Sequence, residues 1–306
     1  MLRKLGFFKS CYESGGVIAS VQEDRELTGR TLELAQGYYE KALPGARVES
    51  GYSGSGVAGG RGAFAFILHT DGGDRFLKIN IPRSGGKEIL RREQEILARL
   101  LGEDSVSFCE LSEEQGALSM KLLERLKEGL TPEQAEGLLS RTLERIDLSR
   151  RSWEELYDIT DILAAAREGL PILASKGLIG GEEKRLAEEL FSELDIIFKN
   201  EPRVLCHGDF GDMNVMTDGG EPVLIDWEDA FKGVRGYDML YWLTFFSHRK
   251  YYTKELFGSS SAERRRNIAL TVMILAVKET MAVYNGEYLK NSLTAGDRIK
   301  EIVQFL

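Results

Sequence analysis

Asp209, Asn214 and Asp226 are the residues whose types and spacing could do chemistry. The stretch Val204-Leu-Cys-His-Gly-Asp-Phe-Gly-Asp-Met-Asn-Val-Met216 carries an apolar strand into His207-Gly208-Asp209, and Asn214 follows five positions after Asp209. A second short apolar run, Pro222-Val-Leu-Ile225, delivers Asp226 and then Trp227. Phosphoryl transfer needs few reactive groups but close positioning. One carboxylate must accept or orient a hydroxyl proton, and an amide oxygen with a second carboxylate must hold a divalent cation on a triphosphate. Hard oxygen ligands of this kind suit magnesium better than a soft metal.

Groups that act by position need a frame. Residues 46–82 read as a three-stranded antiparallel meander. Arg47 to Tyr52 forms its first strand and Ala63 to His69 its second. The turn Asp71-Gly72-Gly73-Asp74 leads into a third, Arg75 to Ile81. Between the first two lies a glycine-dense loop over 53–62, with Gly54-Ser55-Gly56-Val-Ala-Gly59 inside it. A dinucleotide fold would place a helix directly after such glycines. A strand follows here, which favours a flexible loop covering phosphates. Lys78, on the third strand, is the candidate phosphate cation. A helix over about 87–101 shows a helical face of Ile89, Leu90, Ile96, Leu97 and Leu100. It also carries Glu88, Glu93 and Glu95 as possible partners for Lys78.

Two further strands, Val106 to Leu111 and Ala117 to Leu123, precede a connector near Met120–Glu124. Helices are then expected at 132–145, 152–167, 181–199, 234–247, 262–284 and 294–305. The expected organisation is an N-terminal helical extension over 1–45, with a helix from Leu27 to Leu43, then a small nucleotide-binding lobe over 46–123. A larger, mainly helical lobe over 124–306 completes it. A cleft between two lobes is a natural small-molecule site.

Composition narrows the partners. The 306 residues carry a formal net charge of −9, which argues against a broad nucleic-acid surface. Cys11, Cys109 and Cys206 are far apart, neither a disulfide framework nor a zinc pattern; reduced thiols and a cytoplasmic setting are expected. The apolar segment Ile268 to Val277 is interrupted by Lys278 and Glu279. It reads as a buried helix, so no membrane insertion is expected. The Arg264-Arg-Arg266 run reads as a solvated helix face, and His69 and His248 as surface or structural residues.

The motifs resemble the aminoglycoside phosphotransferase and choline kinase superfamily, which shares the protein-kinase-like fold. The family's catalytic loop is His-Gly-Asp, four residues, then Asn, as in His207-Gly208-Asp209 to Asn214. Its metal segment, Ile-Asp-Trp or Ile-Asp-Phe, is matched by Ile225-Asp226-Trp227. The resemblance implies a two-lobed α+β fold and a kinase using ATP or GTP with magnesium to phosphorylate a small-molecule hydroxyl acceptor. It implies Asp209 as catalytic base, Asn214 and Asp226 as magnesium ligands, and His207 and Asp238 as supports of the loop. Lys78 with Glu93, Gly54, Ser55 and Gly56 would bind the phosphates, and the connector at Leu122 and Leu123 would meet the adenine. Aromatic residues from Tyr237 to Tyr252 could hold a quaternary ammonium. The helical spacing of Tyr237, Tyr241 and Phe245 favours a packed face instead. Asp226-Trp227-Glu228 echoes a choline-kinase run, and Glu228, Trp227 and Tyr237 are the candidate substrate contacts. The competing readings are a nucleotide-binding pseudokinase or regulator, and a protein kinase. The latter is disfavoured because no Ala-Pro-Glu closes an activation segment after Asp226.

Overall fold

A computed structural model of the chain describes residues 21–50, 63–82, 85–217, 219–284 and 293–306. Strand alternation explains how its small lobe is built. β1 (Arg47–Ser50), β2 (Ala63–Thr70), β3 (Gly73–Asn80), β4 (Val106–Glu110) and β5 (Gly116–Lys121) form one antiparallel sheet in the order β1-β2-β3-β5-β4. The expected meander is its first three strands, and the next two strands complete the same sheet. Successive side chains point to opposite faces. Leu77, Ile79 and Ala117 therefore pack with Ala35 and Tyr39 of α1 (Val21–Ala42), while Phe76, Leu118 and Met120 pack with Leu90, Ile96 and Leu97 of α2 (Gly86–Leu101). Lys78 lies on the α2 side by the same alternation.

The first helix already includes Val21, ahead of the expected Leu27, and is tied to the sheet by polar contacts. Gln36 donates from Nε2 to the Ala46 carbonyl at 3.2 Å and accepts from the Val48 N–H at 2.7 Å. Gln115 donates to the Thr31 hydroxyl at 3.2 Å.

Beyond Leu123 the chain is mainly helical. α3 (Pro132–Arg145) starts where Thr131 and Gln134 form a capping box with proline in the first turn, a strong local start signal. The single helix expected over 152–167 is instead two, α4 (Arg150–Glu154) and α5 (Ile159–Ser175). Asp158 caps α5 and also accepts from Arg203 Nε at 2.7 Å, so a helix start occupies what would have been the middle of the expected one. α6 (Gly181–Asn200), α7 (Tyr237–Leu243), the short α8 (Lys254–Phe257), α9 (Ser261–Tyr284) and α10 (Ala295–Val303) complete the lobe around a large apolar core.

α9 is long and apolar enough to cross a bilayer by length and composition, yet 67% of its apolar window is buried inside the protein. It packs against α5, α6 and α10. The helix also runs past Lys278 and Glu279, which do not mark its exit from the core. Glu279 is buried and accepts from Arg298 Nη1 at 2.5 Å. Nor is the arginine run simply solvated: Arg265 bonds Glu193 at 2.8 Å and Arg266 bonds Glu201 at 3.1 Å, tying α9 to α6 and the residue after it.

Candidate active site

Short strands present the His-Gly-Asp loop. β7 (Val204–Cys206) pairs with β10 (Phe231–Gly233), and β8 (Val215–Thr217) pairs with β6 (Glu124–Arg125) and β9 (Val223–Leu224). The loop from His207 to Asn214 thus leaves one ribbon and enters another. Asp226 follows β9 directly, and the Ile225 N–H donates to the Asn214 carbonyl at 2.9 Å.

Gly208 turns the chain at φ 88°, where a Cβ would stand 2.2 Å from the Asp229 carbonyl oxygen. Only glycine accepts both the left-handed backbone and that approach. Gly208→Ala is therefore expected to cost about 1–3 kcal/mol of stability and most of the activity. Urea unfolding together with a turnover assay checks this. Wild-type values in both would show that the loop does not need the turn.

Asp238, in the first turn of α7 (Tyr237–Leu243), accepts from the His207 N–H at 2.9 Å and from the Gly208 N–H at 3.0 Å. Burial raises its carboxyl above the ordinary range, opposed by His207 and these two amides. The Asp209 N–H donates to His207 Nδ1 at 3.2 Å. The ring proton therefore sits on Nε2, which bonds the Ile225 carbonyl at 2.8 Å. His207 also lies edge-on to Trp227, ring centroids 4.6 Å apart. His207 thus joins the loop to the segment carrying Asp226, and its ring nitrogens are spent on backbone.

Asp209 has both carboxylate oxygens engaged. Tyr241 donates its hydroxyl to Oδ1 at 2.7 Å, and Asn214 Nδ2 donates to Oδ2 at 3.1 Å and to the Asp209 carbonyl at 2.8 Å. Asn214 spends its amide nitrogen this way and keeps its side-chain oxygen out of those bonds. Asp226 is the one non-glycine residue at positive φ, 65°, among the described residues. That conformation costs about 1–2 kcal/mol and is typical of a residue placed for function.

Lys78 reaches across from β3. Its Nζ lies 2.8 Å from Glu93 Oε2, 2.5 Å from Asp226 Oδ1 and 3.3 Å from Glu228 Oε2. Glu93, not Glu88 or Glu95, is the helix partner; Glu95 instead accepts from the Ser149 N–H at 2.6 Å. Burial lowers the Lys78 ammonium, but Asp226, Glu228 and Glu93 outweigh it and hold it well above its ordinary value. Burial likewise raises Asp226, yet the attraction of Lys78 leaves that carboxyl below the ordinary range. Glu228 is pushed up to about 7 by burial and by Asp226 and Glu93, against the pull of Lys78. Asp229 is raised well above the carboxylate range by burial, then by Glu228, Asp209 and Asp226.

A hard divalent cation fits this donor set. The carboxylates outnumber the one ammonium among them, and burial makes the imbalance costly. Among the described residues no three His, Cys, Asp or Glu side chains form a ready cage. An ion held by Asp226 and Asn214 would complete its shell with phosphate oxygens and water, as magnesium commonly does.

Three expected substrate contacts are corrected. Trp227 is fully buried, with its indole N–H on the Leu224 carbonyl at 2.9 Å. Tyr237 is buried between Phe231 and Tyr241, ring centroids 4.7 and 6.2 Å away, as part of a packed helix face. Glu228 turns to Lys78, with its Oε2 3.3 Å from the ammonium. His248 is also interior, stacked on Trp242 and 3.1 Å from Asp212 Oδ2, a structural rather than a surface residue. Leu122 and Leu123 fall between β5 and β6 as the connector; Leu123 is buried and Leu122 exposed. Gly54, Ser55 and Gly56 lie outside the described residues. Tyr241 was missed as a site residue, although it stands one helical turn after Asp238 and could have been placed with it.

Known structures share this architecture. Spectinomycin phosphotransferase with ADP and spectinomycin superposes with a TM-score of 0.53 at 11% identity, over 89% of this chain and 93% of that one. For an ethanolamine kinase of Plasmodium vivax the values are 0.57, 13%, 97% and 93%. For a choline kinase of Cryptosporidium parvum they are 0.55, 12%, 89% and 94%. At these identities the likeness is one of fold, and the two-lobed kinase-like architecture is the one expected from the motifs. No curated protein matches the sequence. A family model, that of the phosphotransferase enzyme family APH, matches residues 53–250, well over half of the chain, and the protein belongs to that family.

Proposed function

We propose that this phosphotransferase moves the γ-phosphate of ATP, or of GTP, to the hydroxyl of a small molecule, with magnesium bound at Asn214 and Asp226. The observation that carries the reading is the meeting of Lys78, from the sheet, with Glu93 behind it and Asp226 in front, across a sequence separation of 148 residues. Lys78 would trade part of its contact with Asp226 for nucleotide phosphate. The ADP complex of the spectinomycin enzyme supports a nucleotide in this fold.

Asp209 is assigned as the base. It takes the proton of the acceptor hydroxyl as the new oxygen–phosphorus bond forms and the bond from the γ-phosphorus to the ADP oxygen breaks. Tyr241 and Asn214 fix its carboxylate in place, and His207 and Asp238 hold the loop. Magnesium would spread the charge that develops on the transferring phosphoryl group. Cytoplasmic function with a soluble acceptor accords with this reading.

Calorimetry with ADP, ATP and GTP, each with and without magnesium, tests it first. Triphosphate affinity should rise at least tenfold with the metal. Absence of any nucleotide binding would overturn the reading. Mass spectrometry of products from aminoglycosides, choline, ethanolamine and sugars should then show at least one phosphate monoester.

A further inference from the structure

Charge is segregated around Asp209. The acids Asp226, Glu228 and Glu93 gather at Lys78, on the phosphate side. On the other side, beyond Tyr241, stands the half-buried ammonium of Lys278 from α9. Its Nζ lies 4.0 Å from the centre of the Tyr241 ring and 3.7 Å from that of Phe245. It donates to the Thr244 hydroxyl at 3.0 Å, and Thr244 in turn donates to the Tyr241 carbonyl at 2.6 Å. That leaves most of the ammonium's hydrogen-bonding capacity unspent.

No described carboxylate forms an ion pair with Lys278. The neighbouring Arg298, by contrast, is neutralised by Glu279, which accepts from its Nη1 at 2.5 Å. Burial pushes the Lys278 ammonium down to about 7; Asp209 and Glu279 pull it up, while Arg298 presses it further down. An ammonium held over two aromatic rings with no ion-pair partner is costly to keep, and a bound anion would relieve it.

The acceptor hydroxyl has to come within hydrogen-bond reach of Asp209, which brings the rest of the acceptor beside Tyr241. The aromatic faces there that would otherwise attract a quaternary ammonium are already covered by the protein's own lysine. Gly211 is part of the same wall, since a Cβ on it would meet the Phe245 ring at 2.7 Å.

Building on the kinase reading, we propose that Lys278 sets the acceptor's charge: the alcohol phosphorylated here carries an anionic group, a carboxylate or a phosphate, that pairs with the Lys278 ammonium. Lys278 is in this account a specificity-determining residue, with Tyr241, Phe245 and Thr244 holding it in place.

The test is a steady-state panel with magnesium-ATP and acceptors of matched size. Glycerate represents hydroxy carboxylates, glycerol 3-phosphate represents phosphorylated alcohols, glycerol is the neutral member, and ethanolamine and choline are the cations. The wild type should turn over an anionic member with the highest kcat/KM, and the better of the two anions identifies the source of the charge. Lys278→Met should raise KM for that anion at least tenfold with a smaller change in kcat, and Lys278→Arg should restore most of it. ADP-induced thermal stabilisation, measured in parallel, establishes that each variant is folded. A preference for ethanolamine or choline, or an unchanged anion KM in folded Lys278→Met, would overturn this inference and leave the kinase reading standing. Failure to bind any nucleotide would overturn both.

Discussion

Asp209→Asn lowers turnover by about 10²–10⁴-fold while ADP binds with nearly wild-type affinity. The substitution changes charge and basicity but not shape. Tyr241 can still donate to the side-chain oxygen, and Asp238 still holds the His207 and Gly208 amides. What is lost is the ability to take the acceptor's proton, together with the bond from Asn214 Nδ2 to Oδ2; Asn214 stays anchored by its 2.8 Å bond to the backbone carbonyl of residue 209. Nucleotide contacts are assigned elsewhere, to Lys78 and to the cation at Asn214 and Asp226, so binding should survive. Turnover by coupled assay and ADP affinity by calorimetry separate the two effects. Equal loss of both would make Asp209 a structural or nucleotide-binding residue, and unchanged turnover would place the base on another group.

Lys78→Met has the second large expected effect, and it acts on stability as well as activity. Removing the ammonium leaves Glu93, Asp226 and Glu228 facing one another in a poorly solvated site. Breaking a buried pair by deleting one partner costs about 3–5 kcal/mol. Without Lys78 these carboxyls would titrate above their unfolded values, so the folded state would hold extra protons. Stability contributed by that protonation is present below the ordinary carboxylate range and is lost as pH rises through the raised folded values. The deficit relative to wild type should therefore be larger at pH 8 than at pH 5. Adding Glu93→Gln to Lys78→Met should recover part of it, because one charge fewer is left unpaired. Urea midpoints at the two pH values measure this. A deficit below about 0.5 kcal/mol at both would mean that the ammonium is not paired as the structure has it.

The motifs were legible because their information is local. His207-Gly208-Asp209, Asn214 and Asp226 lie close in sequence and are separated by short strands, so spacing alone brings them together. Lys78 was legible as the lysine of the third strand, where the kinase pattern places its phosphate-binding cation. Glu93 required the resemblance, since Glu88 and Glu95 stand on the same helix and only packing against β3 selects among the three. Helices with explicit caps, such as the one opened by Thr131, came out where expected. The expected helix over 152–167 failed because the capping box at Asp158 was overlooked within a helix-forming composition.

Side-chain destinations were less legible. Trp227 follows a metal-binding segment and could have faced a ligand. Its burial depends on His207, which approaches from another strand. Lys278 and Glu279 seemed to end an apolar segment, because composition cannot show that Arg298 waits across the core to pair with Glu279. Tyr241 was visible as one of a helical series, but its bond to Asp209 spans 32 positions and depends on how α7 docks.

The central claim, γ-phosphate transfer to a small alcohol at Asp209, is tested most directly by a ³¹P NMR time course of the wild-type protein with magnesium-ATP and the acceptor panel, run beside Asp209→Asn. The account predicts a phosphate monoester growing in step with ADP in the wild type, and almost none with the variant. ATP persisting unchanged with every acceptor, or a monoester forming equally fast with Asp209→Asn, would contradict it.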